Sequence, residues 1–101
     1  MTVALSFLEG FGFSVLESLV AGSKVLCSDI PVFHEVAGPL PIYVNPHDRN
    51  EITRALLQSI TDGCGSISQE KDVSLLKKKF TWRNAAIKTK NVYEEAYSLP
   101  L

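Results

Sequence analysis

The chain has 101 residues, a formal net charge of −1 and 46% hydrophobic residues. This apolar content is sufficient for a folded core and excludes a disordered chain. The balanced charge argues against binding to nucleic acid or to an anionic membrane through bulk electrostatics. No stretch approaches the roughly 18 uninterrupted apolar residues that a transmembrane helix needs.

The cysteines and the first residues indicate the compartment. Cys27 lies in an apolar stretch and Cys64 lies between glycines in a loop-like stretch, so the two make a poor disulfide pair. Residues 1–7 lack the basic start of a signal peptide. A reducing, cytoplasmic location is therefore predicted.

Apolar periodicity, interrupted by glycine and proline, predicts strands and helices in alternation. The predicted strands cover residues 3–7, 24–28 and 41–44. Helices are predicted at residues 15–21, at 32–36, after a cap at Asp48 or Asn50, at 73–80, and from a Thr81 cap to about Tyr97. Residues 62–68 are typical of a loop and residues 99–101 of a tail.

This alternation implies an α/β fold built from βαβ units with a mostly parallel sheet. About three strands make a thin sheet, whereas a doubly wound domain normally has about five or six. We therefore expect a partial Rossmann-like sheet with flanking helices in residues 1–98, its first half supplied by sequence outside this chain. The side chains expected to pack inward from the later helices are Ile52, Ala55, Leu56 and Ile60, and Trp82, Tyr93 and Tyr97.

The most informative segment runs from Glu9 to Glu17 and reads EGFGFSVLE. It follows a predicted strand and opens a predicted helix, which is where open α/β sheets bind ligands. Gly10 and Gly12 let backbone N–H groups approach an anion, and the helix N-terminus adds partial positive charge. A diphosphate is the expected occupant. The two glutamates would repel it and are suited instead to accept hydrogen bonds from sugar or ribose hydroxyls.

Spacing alone leaves a structural alternative open. Ser14-x-x-Glu17 has the form of a capping box, in which Glu17 satisfies only backbone donors at its own helix start. Glu9 would then be an ordinary loop carboxylate. Three further polar residues are interpreted in the same way: His34 as polar surface, His47 as a turn residue and Glu35 as mainly structural. His47 and Asp48 are too few ligands for a metal site.

The EGFGFSVLE segment resembles the E-x7-E signature of retaining GT-B glycosyltransferases of the GT4 type, in the form EGFGLPxLEA. The resemblance continues in the same order through four further blocks. These are AGSKVLCSDIP at residues 21–31, EVAG at 35–38, YVNP at 43–46, and Phe80-Thr81-Trp82 with Ala85 and Tyr93. Phe13-Ser14 replaces a common leucine-proline and Asn45 a frequent aspartate, and neither departure affects a glutamate.

The resemblance implies that the chain is the C-terminal part of a GT-B nucleotide-sugar-binding domain. It also implies that the last helix crosses back toward the N-terminal domain, so part of the apolar face of this helix is expected to be uncovered here. It assigns the donor-sugar hydroxyls to Glu9 and the ribose hydroxyls of the nucleotide to Glu17. The backbone N–H groups expected to contact the sugar and diphosphate belong to Gly10, Phe11, Gly12 and Phe13.

The implied reaction is transfer of a hexose from a nucleoside diphosphate sugar to an acceptor, with retention of configuration. The resemblance implies no metal, no other cofactor and no catalytic residue within this chain. The basic residues for the diphosphate and the N-terminal domain for the acceptor are expected outside it, so the isolated chain is expected to be inactive. The complete enzyme is expected in the cytoplasm, with peripheral contact at the membrane face.

Two other functions remain open at this stage. A non-catalytic module could keep this scaffold and form a homo-oligomer through an open sheet edge and uncovered apolar surface. A phosphate-binding α/β domain of another family would require the five matched blocks to coincide by chance.

Overall fold

The computed structural model describes residues 1–63 and 70–100. Within these ranges the elements are β1 (Thr2–Ala4), α1 (Phe13–Val20), β2 (Val25–Ser28), α2 (Pro31–Ala37), β3 (Ile42–Val44), α3 (Arg49–Thr61), α4 (Glu70–Lys79) and α5 (Trp82–Ser98). The strands pair in parallel in the order β1-β2-β3. This confirms the predicted α/β class and partial Rossmann-like sheet. Most of the predicted loop at 62–68, including Cys64, lies outside the described residues.

Strand β1 is shorter than the predicted strand of residues 3–7. Its pairing with β2 ends at Ala4, opposite Cys27. Two residues later, the backbone N–H of Ser6 donates to Oγ of Ser28 at 2.7 Å. Because that bond goes to a side chain and not to a strand carbonyl, the chain leaves the sheet here and begins the loop to α1.

The main core lies between one face of the sheet and helices α1, α2 and α4. Successive strand residues point to opposite faces, so Val25 and Cys27 face these helices while Leu26 faces the other way. Phe33 of α2 is fully buried and is the largest such side chain. The buried members of this core are Val15, Leu16, Leu19, Val25, Cys27, Ile30, Phe33, Val36, Ala37 and Leu76.

The starts of α3 and α5 confirm the predicted caps. Oδ1 of Asp48 accepts the N–H of Glu51 at 3.1 Å at the start of α3. Oγ1 of Thr81 accepts the N–H of Asn84 at 3.0 Å at the start of α5. Gly22, with φ +83°, follows the last residues of α1 in the left-handed conformation that ends helices at little steric cost.

Helix α3 covers β3 on the second face of the sheet. Ile52, Ala55 and Leu56 are partly buried there, as predicted. The prediction for Ile60 was wrong, because its side chain is 63% exposed and Ser59, 1% exposed, takes the inward position. Ser59 follows Ala55 by four residues and Ile52 by seven, so the 3.6-residue period places it on their face.

Helix α5 has no buried residue. The prediction that its aromatic side chains pack inward is wrong within the described residues, whereas the expectation of an uncovered apolar face on this helix is confirmed. Trp82, Tyr93 and Tyr97 are 91%, 72% and 94% exposed. The radius of gyration is 16.8 Å, above the roughly 13 Å of a compact chain of this length. The helix projects from the sheet, so no described element covers it. None of the helices within the described ranges is long and apolar enough to cross a bilayer.

The inward position of Ser59 leads to a stability prediction. Its buried hydroxyl has no hydrogen-bond partner in the described part of the chain, and an unsatisfied buried polar group costs about 1–3 kcal/mol. Ser59→Ala should therefore raise the free energy of unfolding by about 1 kcal/mol, measured by urea denaturation. Ser74→Ala, at an exposed position of α4, is the control. A lower stability for Ser59→Ala would show that the hydroxyl has a partner.

Candidate functional site

The candidate site lies at the carboxyl end of the parallel strands, where the loop of residues 5–12 connects β1 to α1. This loop carries Glu9, Gly10 and Phe11, and Gly12 is the N-cap of α1. Glu9 and Glu17 are both exposed, one in the loop and the other on the helix that follows it. The structure therefore places the predicted residues around one loop-to-helix junction.

Two serines anchor the loop, and the sequence interpretation did not assign them a role. Ser28, fully buried at the end of β2, accepts the backbone N–H of Ser6 at 2.7 Å. Oγ of Ser6 in turn donates to Oε1 of Glu9 at 2.7 Å. The Glu9 carboxylate is thereby oriented while most of its surface stays exposed. The sequence signal that could have indicated this contact is the presence of a serine near the end of each of two strands that end at the same edge of the sheet.

Gly12 determines how the helix begins. It has φ +86° and provides no side-chain cap, while its carbonyl accepts the N–H of Leu16 at 3.2 Å. The N–H of Val15 donates to the same carbonyl at 3.1 Å. The first N–H groups of a helix otherwise lack a partner inside it, so those of Phe13 and Ser14 remain available to an external acceptor. Gly12 itself is buried beside the ring of Phe33.

The capping-box alternative for Ser14 and Glu17 was wrong. Because Gly12 is the N-cap, α1 begins at Phe13 and Ser14 is already its second residue. Glu17 is the fifth residue of the helix and lies beyond the unpaired N–H groups of the first turn. Among the described residues, its carboxylate forms neither a hydrogen bond nor an ion pair, so its exposed oxygens are available to a ligand.

The two phenylalanines of the segment have different surroundings. The Phe11 ring lies 4.6 Å from that of Phe13 and 5.6 Å from that of Phe80, centroid to centroid. Phe80 follows α4, so Phe11 ties the loop to the core. Phe13 is 61% exposed. Both residues are predicted to offer a backbone N–H group to the ligand. The ring contacts fix the position of the backbone to which these N–H groups belong.

A second polar group lies at the end of β2. The Asp29 carboxylate pairs with Nε2 of His34, and the His34 ring stacks on that of Tyr43 with centroids 3.8 Å apart. The Tyr43 hydroxyl donates to the carbonyl oxygens of Phe33, at 3.1 Å, and Gly38. His34 was predicted to be polar surface. It is exposed, but its contacts with Asp29 and Tyr43 order the ring. The five-residue separation of His34 from Asp29 carries no recognised signal.

Two further polar residues lie in the loop after β3 and on helix α2. His47 was predicted to be a turn residue, and its backbone N–H donates to Oδ1 of Asn45 at 2.9 Å, which confirms the turn. Its ring stacks on Phe7 at 4.6 Å and joins the loops after β1 and β3. Glu35 is exposed on α2 and lines a separate cavity of about 190 Å³.

Cys27 is buried behind this edge and forms no disulfide with any described residue. Burial raises the pKa of its thiol from 9.0 to about 12, with a smaller contribution from the negative charge of Asp29. Burial also raises the pKa of Tyr43 from 10.0 to about 12. Both groups are therefore neutral near pH 7 and contribute packing to this edge.

The arrangement is suited to binding a polyol and a diphosphate together. Two exposed carboxylates accept hydrogen bonds from hydroxyls, and the N-terminus of α1 attracts an anion. Residues 5–17 contain no lysine or arginine, so this segment offers a diphosphate only backbone N–H groups. Among the described residues, no group of three or more His, Cys, Asp or Glu side chains could hold a metal ion.

No family model matches the chain, and no solved structure is significantly similar to it. Its curated relatives are glycosyltransferases. It is 33% identical over 90 residues to the O-antigen chain mannosyltransferase B of Escherichia coli, which covers 88% of this chain and 23% of that protein.

Two further relatives carry the same kind of name. The chain is 44% identical over 48 residues to the O-antigen chain mannosyltransferase RfbU of Salmonella typhimurium, covering 48% of this chain and 14% of the relative. It is 33% identical over 78 residues to the serotype-specific mannosyltransferase WbdA of Escherichia coli, covering 77% of this chain and 10% of the relative. The chain therefore spans less than a quarter of the length of each of these relatives.

The junction at Gly12 can be tested by substitution. An alanine Cβ there would lie 2.5 Å from Cε1 of Phe33, at a φ of +86° that alanine disfavours. Gly12→Ala should lower the free energy of unfolding by at least about 2 kcal/mol, measured by urea denaturation. Gly10→Ala is the matched control because nothing lies within 4 Å of its Cβ position. Equal effects of the two substitutions would contradict this packing.

The raised pKa of Cys27 predicts how stability depends on pH. Between pH 9.0 and about 12 the unfolded thiol ionises while the folded thiol keeps its proton. The folded state then binds more protons, so the free energy of unfolding should fall as pH rises through this range. Cys27→Ala should reduce the slope but not abolish it, because Tyr43 acts in the same direction. An unchanged slope in urea denaturation would exclude this role for Cys27.

Proposed function

We propose that the chain is the donor-binding part of a retaining glycosyltransferase of the GT4 type with a GT-B fold. The observation that carries this proposal is the uncapped N-terminus of α1, with an exposed glutamate in the loop before it and another on the helix. The names of the relatives support glycosyl transfer and favour mannose as the hexose.

Each part of the junction has a distinct role in this proposal. Glu9, oriented by Ser6, accepts hydrogen bonds from donor-sugar hydroxyls. Glu17 accepts them from the ribose hydroxyls of the nucleotide. The backbone N–H groups of residues 10–13 contact the sugar and the diphosphate, where the dipole of α1 favours negative charge.

In the proposed reaction, the bond between the anomeric carbon and the diphosphate oxygen breaks. A bond from the acceptor oxygen forms on the same face, and the proton of the acceptor hydroxyl passes to the departing diphosphate oxygen. Negative charge grows on the leaving diphosphate, and donors held in place before the reaction stabilise it. The N-terminus of α1 supplies part of that stabilisation. Lysine or arginine side chains elsewhere in the complete protein supply the rest.

The isolated chain is proposed to bind donor weakly and to be inactive. Its acceptor-binding domain and the first half of its sheet belong to the remainder of the protein, as the partial coverage of the relatives supports. The complete enzyme is proposed to act in the cytoplasm, in peripheral contact with the membrane where its acceptor lies, and to need no metal.

A second candidate is a self-associating module without catalysis. Among the described strands, β1 pairs only with β2, which leaves its other edge open. Leu8 is 89% exposed nearby, and the aromatic side chains of α5 are uncovered. Open edges and apolar patches favour self-association. Light scattering separates the candidates, since a monomer at high protein concentration argues against the module.

The donor proposal predicts different effects at the two glutamates. An amide NMR titration with guanosine diphosphate mannose should shift residues 9–17 and give a millimolar Kd. Glu17→Ala should weaken the binding of both this donor and guanosine diphosphate by about fivefold or more, which corresponds to the loss of one hydrogen bond. Glu9→Gln should weaken only the binding of the donor, because guanosine diphosphate has no sugar for this residue to contact.

Glu95→Gln, an exposed carboxylate on α5, is the matched control and should leave both affinities unchanged. Shifts confined to residues outside the β1–α1 junction would contradict the proposed site. A micromolar Kd for the isolated chain would contradict the proposal that half of the donor contacts lie elsewhere.

A further inference from the structure

A second cavity lies away from the β1–α1 junction, between helix α3 and strand β3. Its volume is about 300 Å³, the lower end of the roughly 300–1,000 Å³ of small-molecule sites. No residue of the 5–17 segment lines it. The lining residues are Lys24, Ile42, Tyr43, Val44, Glu51, Arg54, Ala55, Gln58, Ser59 and Asp62.

The inner wall of this cavity contains a polar atom without a partner. Ser59 is 1% exposed, and its Oγ has no hydrogen bond to any described residue. Hydroxyls on helices commonly donate to the carbonyl four residues earlier, and in α3 Thr53 and Thr61 do so at 2.9 and 2.8 Å. Ser59 does not, although the same kind of acceptor is within its own helix. Its hydroxyl therefore keeps an unused hydrogen-bonding capacity in the wall of the cavity.

The rim of the cavity carries equal numbers of opposite charges. Lys24 and Arg54 are cationic, Glu51 and Asp62 are anionic, and none of the four forms an ion pair within the described ranges. For an inorganic anion, attraction to the two cations is offset by repulsion from the two carboxylates, and for a metal ion the reverse holds, so neither ion gains a net attraction from the rim. A neutral ligand with many hydroxyl groups can donate to the carboxylates and accept from the cations. The rim therefore favours a polyol over either ion.

The floor of the cavity is apolar. Val44 is 1% exposed, while Ile42 and Ala55 are partly buried beside it. Ligand sites commonly combine such a floor with a few polar groups that fix orientation. A pyranose ring has the matching character, because it presents C–H groups on its faces and hydroxyls around its edge.

We propose that the cavity between α3 and β3 binds one neutral pyranose unit, with its ring over Val44 and hydroxyls bonded to Ser59 and the charged rim. This site is separate from the donor site at Glu9 and Glu17 and does not depend on transfer there. In a protein that handles glycans, it would hold a sugar residue of a chain without reacting with it.

The test is an amide NMR titration of the chain with methyl α-mannopyranoside, methyl α-glucopyranoside, inorganic phosphate and magnesium chloride. At least one pyranoside should shift residues 42–44 and 51–62 with a saturable, millimolar Kd, and neither salt should do so. Ser59→Ala is expected to be more stable than the unsubstituted chain, and it should weaken the binding of that pyranoside about fivefold. Arg54→Met keeps the aliphatic stem and should also weaken it.

Arg83→Met, an exposed arginine on α5, is the matched control and should leave the Kd unchanged. Shifts with phosphate alone, or none with either pyranoside, would overturn the proposal and leave a cavity that holds only water. Because these shifts map to β3 and α3, whereas donor binding maps to residues 9–17, failure of either site is distinguishable from failure of the other.

Discussion

The contact between Gly12 and Phe33 is the constraint on which the candidate site depends. Phe33 is fully buried at the centre of the core, and an ideal Cβ on Gly12 would overlap its ring. The loop from β1 can therefore meet α2 only through a residue without a side chain. That close approach places the start of α1 at the carboxyl edge of the sheet. The first-turn N–H groups and both glutamates take their positions from it.

The order of the elements could be predicted from the sequence, and so could the grouping of the candidate residues at one loop-to-helix junction. Strand and helix periodicities differ, and glycine, proline and capping residues mark the boundaries. The start of α1 could not be read in the same way. Ser14-x-x-Glu17 satisfies a capping pattern locally, but the tertiary contact at Gly12 begins the helix two residues earlier. The spacing of the residues around Gly12 in the sequence does not indicate that the Phe33 ring of α2 lies beside this glycine.

The other differences between expectation and structure also come from long-range packing. Ile60 and Ser59 occupy adjacent helical positions, and only the placement of α3 against β3 decides which one faces inward. The aromatic residues of α5 satisfy the pattern of a packed helix, yet nothing described covers them. The pair of Asp29 and His34 depends on how α2 follows β2. Sequence patterns indicate that a surface is apolar or polar, but they do not identify what it contacts.

The short strand β1 has a consequence for dynamics. It pairs through three residues with one neighbour, whereas β2 is hydrogen-bonded on both sides and fully buried. Local opening therefore requires less free energy at β1 than at β2, and amide hydrogen exchange should be correspondingly faster there. The loop that carries Glu9 follows directly on this weakly paired strand. A ligand that contacts both the loop and α1 would then slow amide hydrogen exchange in β1. Exchange in this strand would therefore report binding, although the ligand does not contact the strand.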